Sequence, residues 1–183
     1  LFKADDSFFD KKINLGLDLQ GGSYLLLEID NAPVVEQKLQ NLTTTIKNYF
    51  KDKNIRINNI KIEDQNIFFN VDEQSKQLIV DTFTDQESDI NPYYPKFKSH
   101  QLVLEETELN FKVNFSKQGL IALKTSSQDQ AIEIVRRRID EVGTNEPNIL
   151  KRGNNRILVE LPGLDDPMRV KSLLGKTANL TFR

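Results

Sequence analysis

Residues whose types and spacing could do chemistry are densest in "LGLDLQGGSYLLLEID", Leu15 to Asp30. A glycine-rich turn beside a strand is a common phosphate cradle, because bare backbone N–H groups can face the anion. The dinucleotide fingerprint G-x-G-x-x-G finds its outer glycines in Gly16 and Gly21. Asp18 stands in the middle position, where its charge would repel a pyrophosphate. "SYLLLEI" follows as a strand, so no helix N-terminus is offered to the anion. "GGS" also lacks the lysine of a P-loop. The physical reading is therefore a strand with Leu15, Leu17 and Leu19 on one face, then a bulge, bend or tight hairpin at Gly21-Gly22.

Other chemistry-bearing groups are sparse. "VRRRID" holds Arg136, Arg137 and Arg138. Successive helical residues point about 100° apart, so the three fan out, within reach of Glu133, Asp140 and Glu141. A solvated, salt-bridged helix surface is expected, not a polyanion site. His100 is the single histidine, and no motif supplies it with a nucleophile or an orienting partner. An exposed loop histidine is the expectation. The chain has no cysteine, which removes disulfides, thiol nucleophiles and thiolate metal sites. Asp165-Asp166 reads as helix entry and not as a metal pair. Tyr93, Tyr94 and Phe97 form either an exposed binding patch or, the favoured reading, a cover over the edge of a core. No catalytic, cofactor or metal residue is assigned, and no enzyme activity is expected.

The elements that must position these residues follow from periodicity. Pro33 to Lys51 reads as a helix through Val34-Val35, Leu39, Leu42, Ile46 and Tyr49-Phe50. Ile55 to Asp72 alternates around a polar turn at Asp64-Gln65-Asn66, a hairpin. A shorter helix runs from about Glu73 to Phe83 with Leu78, Ile79 and Phe83 as its buried face. Residues 84–100 form a loop broken by Pro92 and Pro95, and two strand patterns end near Phe115. Ser116 to Val142 is helical again, with a weak spot at Thr125-Ser126-Ser127 where Ser127 and Gln130 could cap a fresh start. Gly143 and Pro147 stop that helix. A second hairpin turns at Gly153-Asn154-Asn155, a short helix runs from Asp165-Asp166-Pro167 to Gly175, and "TANLTFR" gives a last strand.

The two halves thus share one order: strand, long helix, hairpin, short helix, strand. "NIFFNV" (66–71) and "RILVEL" (156–161) hold equivalent places. The fold class is α+β: two ferredoxin-like βαββαβ units with antiparallel or mixed sheets covered by helices. The expected division is 13–105 and 106–183, with 1–12 a leading segment. Which half owns the first strand stays open, because the units could exchange strands.

Across 183 residues, 38% hydrophobic and 28% charged content suit a globular chain. A net charge of −2 gives no general pull toward nucleic acid. An RNA-recognition reading shares the topology, but its aromatic signature is absent and "NIFFNV" lacks the basic residue and the glycine. No apolar run reaches the roughly 18 residues of a membrane span. No signal peptide and no initiating Met are present, so the chain is expected to be a piece of something longer.

Three stretches carry a resemblance. "LGLDLQGGSYLLLEID" (15–30), "VRRRIDEVGTNEPNIL" (135–150) and "NRILVELPGLDDPMRVKSLLGKTANLTFR" (155–183) resemble, in order, the SecD family of the bacterial Sec translocase. Matching positions are Gly16, Asp18, Gly21 and Gly22, then Arg136, Arg138, Gly143, Glu146 and Pro147, then Glu160, Leu161, Pro162, Gly163, Gly175, Phe182 and Arg183. Residues 31–134 match in layout only, like longer versions of the family with an extra unit there. The resemblance implies part of the first extracytoplasmic (periplasmic) domain, with 1–12 following a transmembrane helix outside this chain in the bacterial inner membrane. It implies partnership with SecF and the SecYEG channel, unfolded secretory preproteins as cargo, and use of the proton-motive force. The motif residues are expected to be structural. It implies no cofactor and no nucleic acid, and no catalytic role transfers to any residue. The competing reading is a free-standing ligand- or RNA-binding module of duplicated ferredoxin-like units.

Overall fold

The computed structural model describes residues 22–141 and 147–162. Strand β1 (Gly22–Glu28) leads into helix α1 (Ala32–Asp52), which has proline in its first turn. Val35, Leu39, Leu42, Ile46 and Phe50 are buried along α1 at the spacing that puts them on one face. Strands β2 (Asn58–Glu63) and β3 (Asn66–Asn70) form the expected hairpin. Its two turn residues, Asp64 and Gln65, have φ of 48° and 60°, the positive pair that a tight two-residue hairpin demands.

Helix α2 (Glu73–Thr84) starts at Asp72, whose carboxylate accepts from the Ser75 N–H at 2.8 Å. Its buried residues are Ile79, Thr82 and Phe83, whereas Leu78 is 42% exposed. The expected stripe is turned by one position, and the Thr82 hydroxyl is satisfied within the helix by the Leu78 carbonyl at 2.7 Å. The loop after α2 contains two short strands, β4 (Tyr93–Tyr94) and β5 (Ser99–His100), around a 3₁₀ turn at Pro95–Phe97.

Strands β6 (Leu102–Thr107) and β7 (Asn110–Phe115) form a second hairpin. Helix α3 (Lys117–Asp140) follows from the Ser116 cap and runs unbroken through Thr125-Ser126-Ser127. The expected restart there does not occur: Ser127 is buried, 3% exposed, inside the helix. Strands β8 (Asn148–Arg152) and β9 (Arg156–Pro162) complete the described elements. The expected first strand around Leu15–Leu19, the helix from Asp165 to Gly175, the final strand and the 1–12 segment lie outside the described residues.

The sheets do not divide where the sequence pattern divides. One has four antiparallel strands in the order β2-β3-β7-β6; another has β1-β9-β8, again antiparallel. Strand β1, from the first half, pairs with β9 along its whole length, Gly22 opposite Pro162 through Glu28 opposite Arg156. Strand β7, from the second half, sits between β3 and β6. Counting β7 as first strand, the four-stranded sheet has the order of a ferredoxin-like unit. The three described strands of the other sheet follow the same order, with β1 in the first place. "NIFFNV" and "RILVEL" hold the matching inner positions, as β3 and β9.

The helices cross over with the strands. α1 follows β1 but packs on the four-stranded sheet, in a core with Ile67, Phe69, Phe111, Val113, Ile79 and Phe83. The second core joins Ala131, Ile132, Val135 and Ile139 of α3 to Ile157, Val159 and Leu161 of β9. Leu120 and Leu123, earlier in α3, pack against the first core, so this one helix serves both. Phe69 and Phe111, directly opposite on β3 and β7, stack at 5.4 Å, a pair worth about 1 kcal/mol beyond its burial. That contact helps hold β7 against β3.

Candidate functional site

The motif residues scatter. Arg136, Arg137 and Arg138 are all exposed on α3, and none forms an ion pair among the described residues. The solvated surface expected there is found without its salt bridges. Gly22 opens β1, Pro162 closes β9 opposite it, and Pro147 precedes β8. Gly16, Asp18, Gly21, Gly143, Glu146, Gly163 and Gly175 lie outside the described residues. Among the described residues, no group of three His, Asp or Glu side chains is placed to hold a metal ion.

His100 is not a free loop histidine. It is half-buried, its Nε2 lies 3.0 Å from the Asp85 carbonyl oxygen, and its ring packs on Tyr93 at 4.8 Å. Its own carbonyl accepts from the Ser116 hydroxyl at 2.6 Å. The role is structural: the ring ties the loop back to the end of α2, and the backbone carbonyl ties it to the start of α3.

Ser116 concentrates three bonds at that start. Its hydroxyl oxygen accepts from the Gly119 N–H at 2.9 Å, and its backbone N–H donates to the Gln101 carbonyl at 2.9 Å. A β-carbon at Gly119 would lie 2.1 Å from the Gln101 oxygen, so the backbones approach as only glycine permits. Asn91 pins the other side of the loop and is 1% exposed. Its Nδ2 donates to the Phe83 carbonyl at 2.7 Å and its Oδ1 accepts from the Leu102 N–H at 2.7 Å. Sequence reasoning passed over Gly119 and Asn91. The Ser-x-x-Gly step after a strand was the available signal for Gly119; for Asn91, only the Asn-Pro turn chemistry was visible.

Gln128, 2% exposed in the middle of α3, ties the two halves of the second core. Its Nε2 donates to the Gly153 carbonyl at 3.2 Å and the Arg156 carbonyl at 2.7 Å, gripping the β8–β9 turn. Lys151 and Asp129 add an ion pair beside it.

The aromatic loop does not cover the first core. Tyr94 and Phe97 face α3 across an open groove of about 470 Å³, whose other wall includes Gln118, Ile121, Ala122 and Thr125. Phe97 stays 52% exposed, and burial pushes the Tyr94 phenol above its ordinary value. Pro92 and Pro95 turn the chain so that these rings meet the helix instead of the core.

Two family models match the chain. "Protein translocase subunit SecDF, P1 domain, N-terminal" covers residues 128–183, and "SecD/SecF GG Motif" covers residues 7–33. The SecD protein of Rickettsia felis is 36% identical over 172 residues, 93% of this chain and 31% of the relative. Those of Acetobacter pasteurianus and Syntrophobacter fumaroxidans are 34% identical over 175 and 177 residues, 94% of the chain and 32% of each relative. The chain belongs to the SecD family.

It spans about a third of the length of the SecD relatives it matches. No solved structure matches it. Similarity to the SecD relatives runs through the middle of the chain as well as its ends, further than the layout-only match expected for 31–134. The two SecD-matched stretches meet in space. β1 belongs to the GG-motif match and β9 to the P1 match, and they pair over seven residues to form one sheet. Most of the four-stranded sheet's elements fall between the two matches.

Proposed function

We propose that this chain is the extracytoplasmic base of the SecD subunit of the Sec translocase, supporting proton-motive-force-driven export of unfolded preproteins. In this reading it works on the periplasmic side of the bacterial inner membrane with SecF and the SecYEG channel, tethered by transmembrane helices that lie outside the sequence. Among the described residues no helix is long and apolar enough to cross a membrane. The observation that supports the reading best is the pairing of the two SecD-matched stretches, β1 with β9, in one sheet. The reading assigns no catalytic, cofactor or metal role, and a duplicated ligand- or RNA-binding module is not favoured beside it.

The same proposal includes two ferredoxin-like halves, 13–105 and 106–183, with their first strands exchanged. A base in which the two SecD-matched stretches are joined in one sheet, β1 to β9, suits a part that transmits movement between membrane helices and the rest of the domain. The family-motif glycines and prolines serve packing in this reading. Cross-linking this region to the membrane portion of the full-length protein tests the coupling. Proton-driven export should slow sharply under the cross-link; an unchanged rate would refute the coupling role.

A further inference from the structure

The three-stranded sheet has two unlike faces. Ile157, Val159 and Leu161 point into the core with α3, so the alternate residues of β9 point away from it. On that outer face Leu158 lies directly opposite Leu26 of β1 and Leu150 of β8. The result is an in-register row of three leucines crossing the sheet. Tyr24, next along β1 on the same face, is 74% exposed, Leu26 is 55% and Leu150 is 39% exposed. Apolar side chains gathered on one face like this mark an interaction surface more than isolated exposed residues do.

One side of the leucine row carries two arginines and one carboxylate, Glu28. Arg152 and Arg156 lie directly opposite each other on β8 and β9, both exposed, and neither forms an ion pair among the described residues. Like charges directly across an antiparallel pair are destabilising. Glu28 lies opposite Arg156, but its Oε1 accepts from the Asn155 side chain at 2.9 Å. On the far side of the row, Glu160 is engaged with the Asn148 side chain at 2.7 Å.

We propose that the outer face of this sheet docks an acidic amphipathic helix of a partner protein. The apolar stripe of that helix lies along Leu26, Leu158 and Leu150, with its carboxylates over Arg152 and Arg156. Charge complementarity selects this occupant. Three strands about 4.8 Å apart give the row a span of roughly 10 Å, the length of two helical turns. A nucleic acid duplex offers no apolar stripe for the leucine row to bury. The proposal rests on the translocase reading for the membranes in which the partner is sought.

The test uses the full-length protein in its own membranes, with a photo-cross-linking amino acid at Tyr24, at Leu150 or, as a control on the other sheet's helix, at Leu78. Tyr24 and Leu150 should capture one and the same partner segment, identified by mass spectrometry as apolar residues flanked by Asp or Glu, and Leu78 should not. Arg152→Glu with Arg156→Glu should cut the yield at least about fivefold, and reversing the partner's carboxylates to lysine should restore it. No cross-link, capture of a second copy, of residues elsewhere in this chain or of nucleic acid, or a yield indifferent to the charge reversal would overturn the proposal. Export of a reporter preprotein, followed in the same cells, separates the outcomes. Normal export without the cross-link sinks the docking surface alone, and a cross-link without any dependence of export on the protein sinks the translocase reading alone.

Discussion

Gly119 approaches Gln101 so closely that a β-carbon on it would lie 2.1 Å from the Gln101 carbonyl oxygen. The contact joins the start of α3 to the bend between β5 and β6, where the Ser116 N–H also reaches Gln101. Both partners are backbone, so neither can swing aside. Gly119→Ala should cost about 3 kcal/mol, read from urea unfolding. Gly153→Ala is the contrast: it has φ of +63° but nothing within 4 Å, and should cost only about 1 kcal/mol of backbone strain. Equal losses would show that the close approach does not constrain the fold.

Asn91→Ala should be nearly as damaging as Gly119→Ala. It strips partners from the Leu102 N–H and the Phe83 carbonyl in a position that is 1% exposed. The expected loss is about 3 kcal/mol, with early hydrogen exchange at Leu102. Wild-type protection of the Leu102 amide in the variant would contradict this account.

Gln128→Ala removes the grip of α3 on the β8–β9 turn. A loss of about 2 kcal/mol is expected, concentrated as faster exchange in β8 and β9 while β3 and β7 stay protected. Uniform deprotection of both sheets would mean that the turn is not held separately.

Acid should weaken the start of α2 through Asp72. The Ser75 side chain, and then its backbone N–H, hold the Asp72 carboxyl below its ordinary value. A depressed folded value means stability that is present above about pH 4 and lost as pH falls through the lowered value. Asp72→Asn keeps a capping oxygen but cannot titrate. Thermal midpoints of the two proteins should differ near neutrality and converge in acid. Parallel curves would remove Asp72 from the acid response.

The exchange of strands can be trapped directly, because the chain has no cysteine of its own. Tyr24→Cys with Glu160→Cys, and Phe68→Cys with Lys112→Cys, place single pairs directly opposite across β1–β9 and β3–β7. Each pair should oxidise within one chain and stay monomeric on a non-reducing gel. Failure of both pairs would mean that β1 and β7 belong to their own halves.

What the sequence made legible is what periodicity can report. The stripe Val35, Leu39, Leu42, Ile46 and Phe50 defined α1, and alternation on both sides of the polar turn at Asp64-Gln65 marked a hairpin. The alternation Phe111, Val113, Phe115 showed that β7 has a buried face but could not say in which sheet, because inward residues of either core look alike. That is why the exchange stayed open. Ser127 read as a cap because serine favours helix starts, yet the cores on both sides of it keep α3 continuous. Tertiary packing overrides propensity there. His100 and Asn91 are fixed by backbone carbonyls far along the chain, contacts that no local pattern encodes. The leucine row likewise exists only once β1, β9 and β8 are in register.

The central claim is that this segment works as the extracytoplasmic base of SecD. The most direct measurement is export of a reporter preprotein in a SecD-depleted bacterium supplied with a chimaeric SecD, in which this segment replaces the host's own. The account predicts that export recovers toward the undepleted rate and falls again when the proton-motive force is collapsed. A chimaera that accumulates in the membrane with its other regions intact, while export stays at the depleted level, would contradict it.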